Sequence, residues 1–112
     1  MKLLLAILLL FAPAAAKAAP PPPIEVTAKV LELPRNVPHC GIFAWRAVVR
    51  YQVISVERGK LDRKDILVVE LCPEFRKLGE TRKLRLRPAT AKDSFIDDFK
   101  TRLGPRYVHR DP

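Results

Sequence analysis

Ala44-Trp45-Arg46-Ala47-Val48-Val49-Arg50-Tyr51-Gln52-Val53-Ile54-Ser55-Val56 is a long β-rich run in a chain of 112 residues. Trp45, Ala47, Val49, Tyr51 and Val53 fall on every second position, with Arg46, Arg50 and Gln52 on the opposite phase. Such alternation marks a strand with one face turned to a core. The phase breaks near Ser55-Val56, which predicts a bulge or a bend. A long strand interrupted in this way suits a small barrel, where one strand serves two sides.

The flanks extend the pattern. Ile24, Val26, Ala28 and Val30 alternate with Glu25, Thr27 and Lys29, which predicts an earlier half-buried strand. Pro34 and Pro38 mark an irregular connection that ends at His39-Cys40-Gly41, and Glu57-Arg58-Gly59-Lys60 supplies a turn. Residues 66–71 are apolar on both faces except at Glu70, as in a central strand, and Pro73 stops them. Leu84 and Leu86 alternate with Lys83, Arg85 and Arg87, giving a fourth strand that halts at Pro88.

The period then changes. Phe95, Ile96, Phe99 and Leu103 have helical spacing, Thr90 with Asp93 makes a capping box, and Gly104-Pro105 ends the segment. Tyr107 and Val108 return to the sheet as a short fifth strand. The expected class is mainly β: a small five-stranded antiparallel OB-like barrel with one α-helix in the C-terminal half. A flat sheet with the helix on one face is the alternative.

The first eighteen residues concern location. Lys2 precedes an unbroken apolar run over 3–11, Pro13 interrupts it, and Ala16-Lys17-Ala18 places small residues where a signal peptidase reads them. The run is too short to span a bilayer, which takes about 20 residues. Residues 1–18 are therefore expected to be a cleaved signal peptide, 19–23 a proline-rich spacer, and 24–112 one domain. The expected location is secreted or periplasmic, with no membrane span once the signal is removed. Loss of Lys2 and Lys17 with the leader leaves 19 basic against 12 acidic residues, a net +7. A basic exported domain is expected to meet anionic surfaces. Cys40 and Cys72 are the only cysteines, and an even pair in an oxidising compartment predicts a disulfide.

Val49-x-Tyr51-x-Val53-x-x-Val56-x-x-Gly59, followed by Ile66-x-Val68 and Cys72-Pro73, resembles the early strands of the netrin-like domain. That OB-type barrel is shared by tissue inhibitors of metalloproteinases, and small bacterial exported proteins carry similar spacing. The resemblance implies a five-stranded barrel with a binding or inhibitory role. The inhibitors chelate zinc through an N-terminal cysteine, whereas the expected mature chain here starts at Ala19 before prolines, so that residue role does not transfer.

Catalytic patterns are poor. His39, Cys40, Cys72 and His109 include zinc-ligand types without any preorganising spacing, and no metal or cofactor is expected. Ser55 and Ser94 lie outside a nucleophile elbow. Asp97 and Asp98 diverge by about 100° on a helix, and Asp62 and Asp65 sit among basic residues in a solvated connection. Trp45, Tyr51, Phe95 and Phe99 have spacings suited to a core. The remaining signal is basic: Arg82, Lys83, Arg85 and Arg87 on or beside one strand, with Arg46 and Arg50 on the long one. Brought together, these form a patch for phosphate or carboxylate; its rival is a charged strand face that blocks edge pairing. Aromatic interleaving is lacking there, which argues against nucleic acid.

The sequence thus predicts a non-catalytic binding module for an anionic envelope component or an acidic protein surface. The second expectation is an inhibitor of an exported protease, acting through loop 34–40 or the N-terminus. The third is a small metal-dependent enzyme.

Overall fold

A computed structural model describes residues 22–110. The expected signal peptide and most of the proline spacer lie outside the described residues. Five strands form in chain order: β1 (Ile24–Glu32), β2 (Arg46–Arg58), β3 (Asp65–Leu71), β4 (Thr81–Pro88) and β5 (Arg106–His109). A single 3-10 turn, Pro73–Phe75, follows β3. The strands close into a barrel in the order β1-β2-β3-β5-β4, with β1 paired to both β2 and β4.

The pairing corrects the expectation of a wholly antiparallel barrel, because β3 and β5 run parallel. The reason is parity. A closed ring with an odd number of strands cannot alternate direction all the way round, so one neighbouring pair must be parallel.

Period-two alternation places Val26, Ala28, Val30, Val49, Tyr51, Ile66, Val68, Leu84, Leu86 and Tyr107 in the barrel interior. Along β2 the ladder skips Ile54 between Ser55 and Val53, and skips Glu57 between Arg58 and Val56. The interruption expected near Ser55-Val56 thus consists of irregularities on either side of that pair, and they let β2 coil around the barrel. A second apolar cluster lies outside the wall, where Val48, Leu67, Val69 and Val108 are covered by Phe99 with Ala89 and Phe95. This cover explains why β3 reads as apolar on both faces.

No α-helix forms among the described residues, so the helix expected after Thr90 is corrected. Its local start survives: Thr90 N–H donates to Asp93 Oδ2 at 2.7 Å, and Asp93 N–H donates to Thr90 O at 3.0 Å. Beyond that, stronger partners intervene. The N-terminal end of β2 extends past the β1 ladder, and Ile96 fills that open edge. Ile96 N–H donates to Arg46 O at 2.9 Å, and Val48 N–H donates to Ile96 O at 3.1 Å. An Ile96 committed to a strand edge cannot sit in a helical ladder.

Arg106 completes the loop. Its guanidinium donates to Asp97 Oδ2 and to the carbonyls of Phe99, Arg102 and Gly104, all at 2.8–2.9 Å. Asp97 also accepts from Phe99 N–H at 2.9 Å, and Asp98 accepts from Arg35 N–H at 2.7 Å. Both aspartates are therefore partnered rather than turned to solvent. Leu103, placed on the apolar stripe of the expected helix, is 94% exposed.

Candidate functional site

Cys40 and Cys72 form the expected disulfide, with 5.6 Å between Cα atoms across a separation of 32 residues. It clamps the 33–45 connection onto the end of β3. Cys72 N–H donates to Trp45 O at 2.8 Å, and Glu74 accepts from Cys40 N–H. Cys72 takes a left-handed conformation, φ 51°, which reverses the chain between β3 and Pro73. Glu74 lies close to both sulfurs, but these are bonded to each other and offer no thiolates to a metal. Trp45, expected in the core, precedes β2 and remains 38% exposed.

At this end the barrel wall opens. β5 pairs with β3 over Leu67–Val69 and with β4 over Leu86–Pro88, and the strand ends at His109, followed among the described residues by one bond from Arg110 to Arg85. The end of β3 and the start of β4 therefore face each other without a ladder between them. Glu70 and Arg82 span the gap. Each shares the inward phase of its strand, Glu70 with Ile66 and Val68, and Arg82 with Leu84 and Leu86. Glu70 is 4% exposed and is, among the described residues, the buried charged residue of the core. Its carboxylate accepts from Arg82 Nη1 and from the Tyr51 hydroxyl, and Arg82 Nη1 also donates to Tyr51 Oη at 2.9 Å. Burial, with the adjacent Glu70 charge, pushes the Tyr51 phenol well above its ordinary range and keeps it a hydroxyl. For Arg82 burial opposes the charge, but Glu70 and Tyr51 outweigh it, and its pKa is raised.

Beside this triad lies a cavity of about 510 Å³, lined by Arg46, Arg76, Arg82, Arg87 and Arg110 together with His109. Among the described residues Glu70 is its one acidic lining residue, already bonded to Arg82. Arg87 is held by Asp93 through contacts of 2.7 and 2.9 Å. That guanidinium, with the Thr90 N–H, keeps the Asp93 carboxyl far below the usual carboxylate range. Arg76 lies 3.9 Å from Glu80. Arg46 and Arg110 have no carboxylate within salt-bridge distance among the described residues.

The six basic residues singled out from sequence are thus not one face. Arg46, Arg82 and Arg87 meet at this cavity, although Arg82 reaches it from the barrel interior. Lys83 and Arg85 line a neighbouring hollow with Glu25, Glu57, His109 and Arg110. There the Thr27 and Ser55 hydroxyls hold the Glu57 carboxyl below its ordinary range, and the Lys83 charge adds to this. Arg50 stands apart, with Nε 3.0 and 2.8 Å from the two Asp65 carboxylate oxygens and Nη1 3.3 Å from Glu32. Asp65 and Glu32 thus neutralise Arg50 as an anion site, and Asp65 is correspondingly not a free connection residue.

Arg76, His109 and Arg110 join the site without any periodic signal in the sequence, because each lies just beyond or at the end of a regular element. His109 Nδ1 accepts from Arg85 N–H at 3.1 Å, and Arg110 N–H donates to Arg85 O at 3.0 Å. These bonds tie the end of β5 to β4 and aim Arg110 along the cavity rim. No protein-family model, curated protein or solved structure matches this chain.

Proposed function

We propose that this protein is an exported, non-catalytic binding module that takes an anionic envelope component, or an acidic protein surface, in the arginine-lined opening of its barrel. The observation that carries this reading is the meeting of five guanidinium groups around a cavity whose one acidic lining residue among those described is already engaged. Planar guanidinium forks suit phosphate and carboxylate oxygens, and Arg46 and Arg110, which have no carboxylate partner among the described residues, are the groups offered to a ligand. Strand order supports the OB-like description, and the disulfide is consistent with an oxidising compartment. No described helix is long and apolar enough to cross a membrane.

The test is calorimetric titration with tripolyphosphate at low and high salt. Binding should weaken steeply as salt rises. Each charge-assisted hydrogen bond to an ionised group is worth about 1.5–3 kcal/mol, so R46Q/R110Q should lower affinity by tenfold or more. Equal affinity for the wild type and the double variant would overturn the assignment of the cavity.

A further inference from the structure

The loop stapled by the disulfide carries its apolar side chains outward. Ile42 is 97% exposed and Phe43 69%, and both follow Gly41 directly after Cys40. Phe75, on the turn that follows Cys72, is 65% exposed, and Leu71, just before that cysteine, is half exposed. Phe43 and Trp45 stack at a tilt with ring centroids 6.4 Å apart. The loop is pinned at several points: Gly41 N–H donates to Phe43 O at 3.0 Å, Trp45 N–H to Cys40 Sγ at 3.3 Å, and Cys72 N–H to Trp45 O at 2.8 Å. These bonds tie the backbone of the loop to the disulfide and to the end of β3 while its apolar side chains point outward. An exposed apolar cluster on a constrained loop marks an interaction surface.

The charges nearby select the occupant. Arg46 follows Trp45 directly, Arg76 and Lys77 follow Phe75, and Arg46 and Arg76 both line the basic cavity. The acidic residues of this end are engaged or withdrawn. Glu70 is bonded to Arg82, and Glu80 lies 3.9 Å from Arg76. Glu74, beside the disulfide, is turned inward with one oxygen accepting from Cys40 N–H and the other buried. The tip therefore offers aromatic and aliphatic side chains flanked by Arg46, Arg76 and Lys77, with the Glu74 carboxylate withdrawn. That composition suits the boundary of an anionic bilayer, where aromatic rings sit at headgroup level and Arg or Lys meet lipid phosphates.

We infer that the Ile42-Phe43-Ala44-Trp45 loop, with Phe75, is an interfacial anchor that docks the barrel on an anionic phospholipid surface. The inference extends the cavity reading and rests on it only for the polar half of the contact; the apolar half stands on the exposed loop.

Trp45 is the chain's single tryptophan and sits beside the tip, so its fluorescence reports docking. The purified, disulfide-bonded protein is mixed with vesicles of equal parts phosphatidylglycerol and phosphatidylcholine, and with vesicles of phosphatidylcholine alone. The expected result is a blue-shifted Trp45 emission and co-sedimentation with the anionic vesicles only, reversed by high salt. I42S/F43S should weaken vesicle binding by about tenfold or more while leaving the thermal midpoint and the affinity for tripolyphosphate unchanged. Retained vesicle binding in that variant, equal binding to both vesicle types, or no binding to either overturns the anchor. A concentration-dependent dimer that shifts Trp45 without lipid also overturns it, because a second copy then covers the loop. The tripolyphosphate titration reports on the cavity separately, so failure there leaves the vesicle result to decide the loop.

Discussion

Replacing Arg82 by Met tests whether the Glu70–Arg82 pair holds the open wall of the barrel. Glu70 is 4% exposed and its carboxylate has two partners, Arg82 and the Tyr51 hydroxyl. Removing the guanidinium leaves a buried negative charge with one hydroxyl. Breaking a buried pair from one side costs about 3–5 kcal/mol. Arg82 is itself 18% exposed and lines a cavity, so water can reach the orphaned carboxylate. The lower end, about 3 kcal/mol, is therefore expected, against a total stability of about 5–10 kcal/mol for a domain of this size. E70Q removes the charge but keeps an acceptor for Tyr51, and the remaining guanidinium opens to the cavity; its cost should be about 1–2 kcal/mol. In R82M/E70Q no unpaired charge remains, so the double variant should be more stable than R82M alone by about 2 kcal/mol. Urea titration followed by Trp45 and tyrosine fluorescence reads all four proteins, and an unchanged slope keeps the midpoints comparable. Strict additivity of the two single changes, or an R82M cost below about 1 kcal/mol, would show that Glu70 is solvated and that the pair does not close the wall.

Other consequences follow from the same contacts. C40S/C72S should lower stability by about 3–4 kcal/mol, because the disulfide closes a loop across a separation of 32 residues, and should release the 41–45 loop to proteolysis at native pH. F99A removes the buried ring that covers the outer wall and should cost about 3 kcal/mol by urea unfolding. Asp93 has a depressed folded-state pKa, so its contribution is complete above the unfolded carboxylate range, near pH 4, and is lost as pH falls through the lower folded value. D93N should therefore be less stable than wild type at neutral pH, with the difference shrinking in strong acid; a gap that widens on acidification would refute the linkage.

The strands were legible because period two is a local property. Val26, Val49, Tyr51, Leu84 and Leu86 each declare their face through immediate neighbours, and β3 declares burial on both sides. The same parity also held a signal for the buried triad. Arg82 falls in phase with Leu84 and Leu86, and Glu70 with Ile66 and Val68, so opposite charges stand at core phase on separate strands. Grouping Arg82 with Lys83, Arg85 and Arg87 as one basic strand side passes over that phase. Spacing misled more seriously at 95–103. Phe95 and Phe99 do supply apolar contacts, but helical spacing says nothing about the unfilled strand edge at Ala47 that Ile96 takes.

Local alternation, proline and glycine punctuation and cysteine count thus determine the strands, their inward residues and the disulfide, since each depends on nearby residues or on chemistry alone. Tertiary structure decides which strands become neighbours, that β3 and β5 run parallel, and that Ile96 joins β2 instead of a helix. It also decides where β5 stops pairing, and hence that Arg46, Arg76, Arg82, Arg87 and Arg110 meet while Arg50 is neutralised elsewhere. The physical reason is range: a side chain's phase is set by the two residues beside it, whereas its partners are set by closure of the barrel.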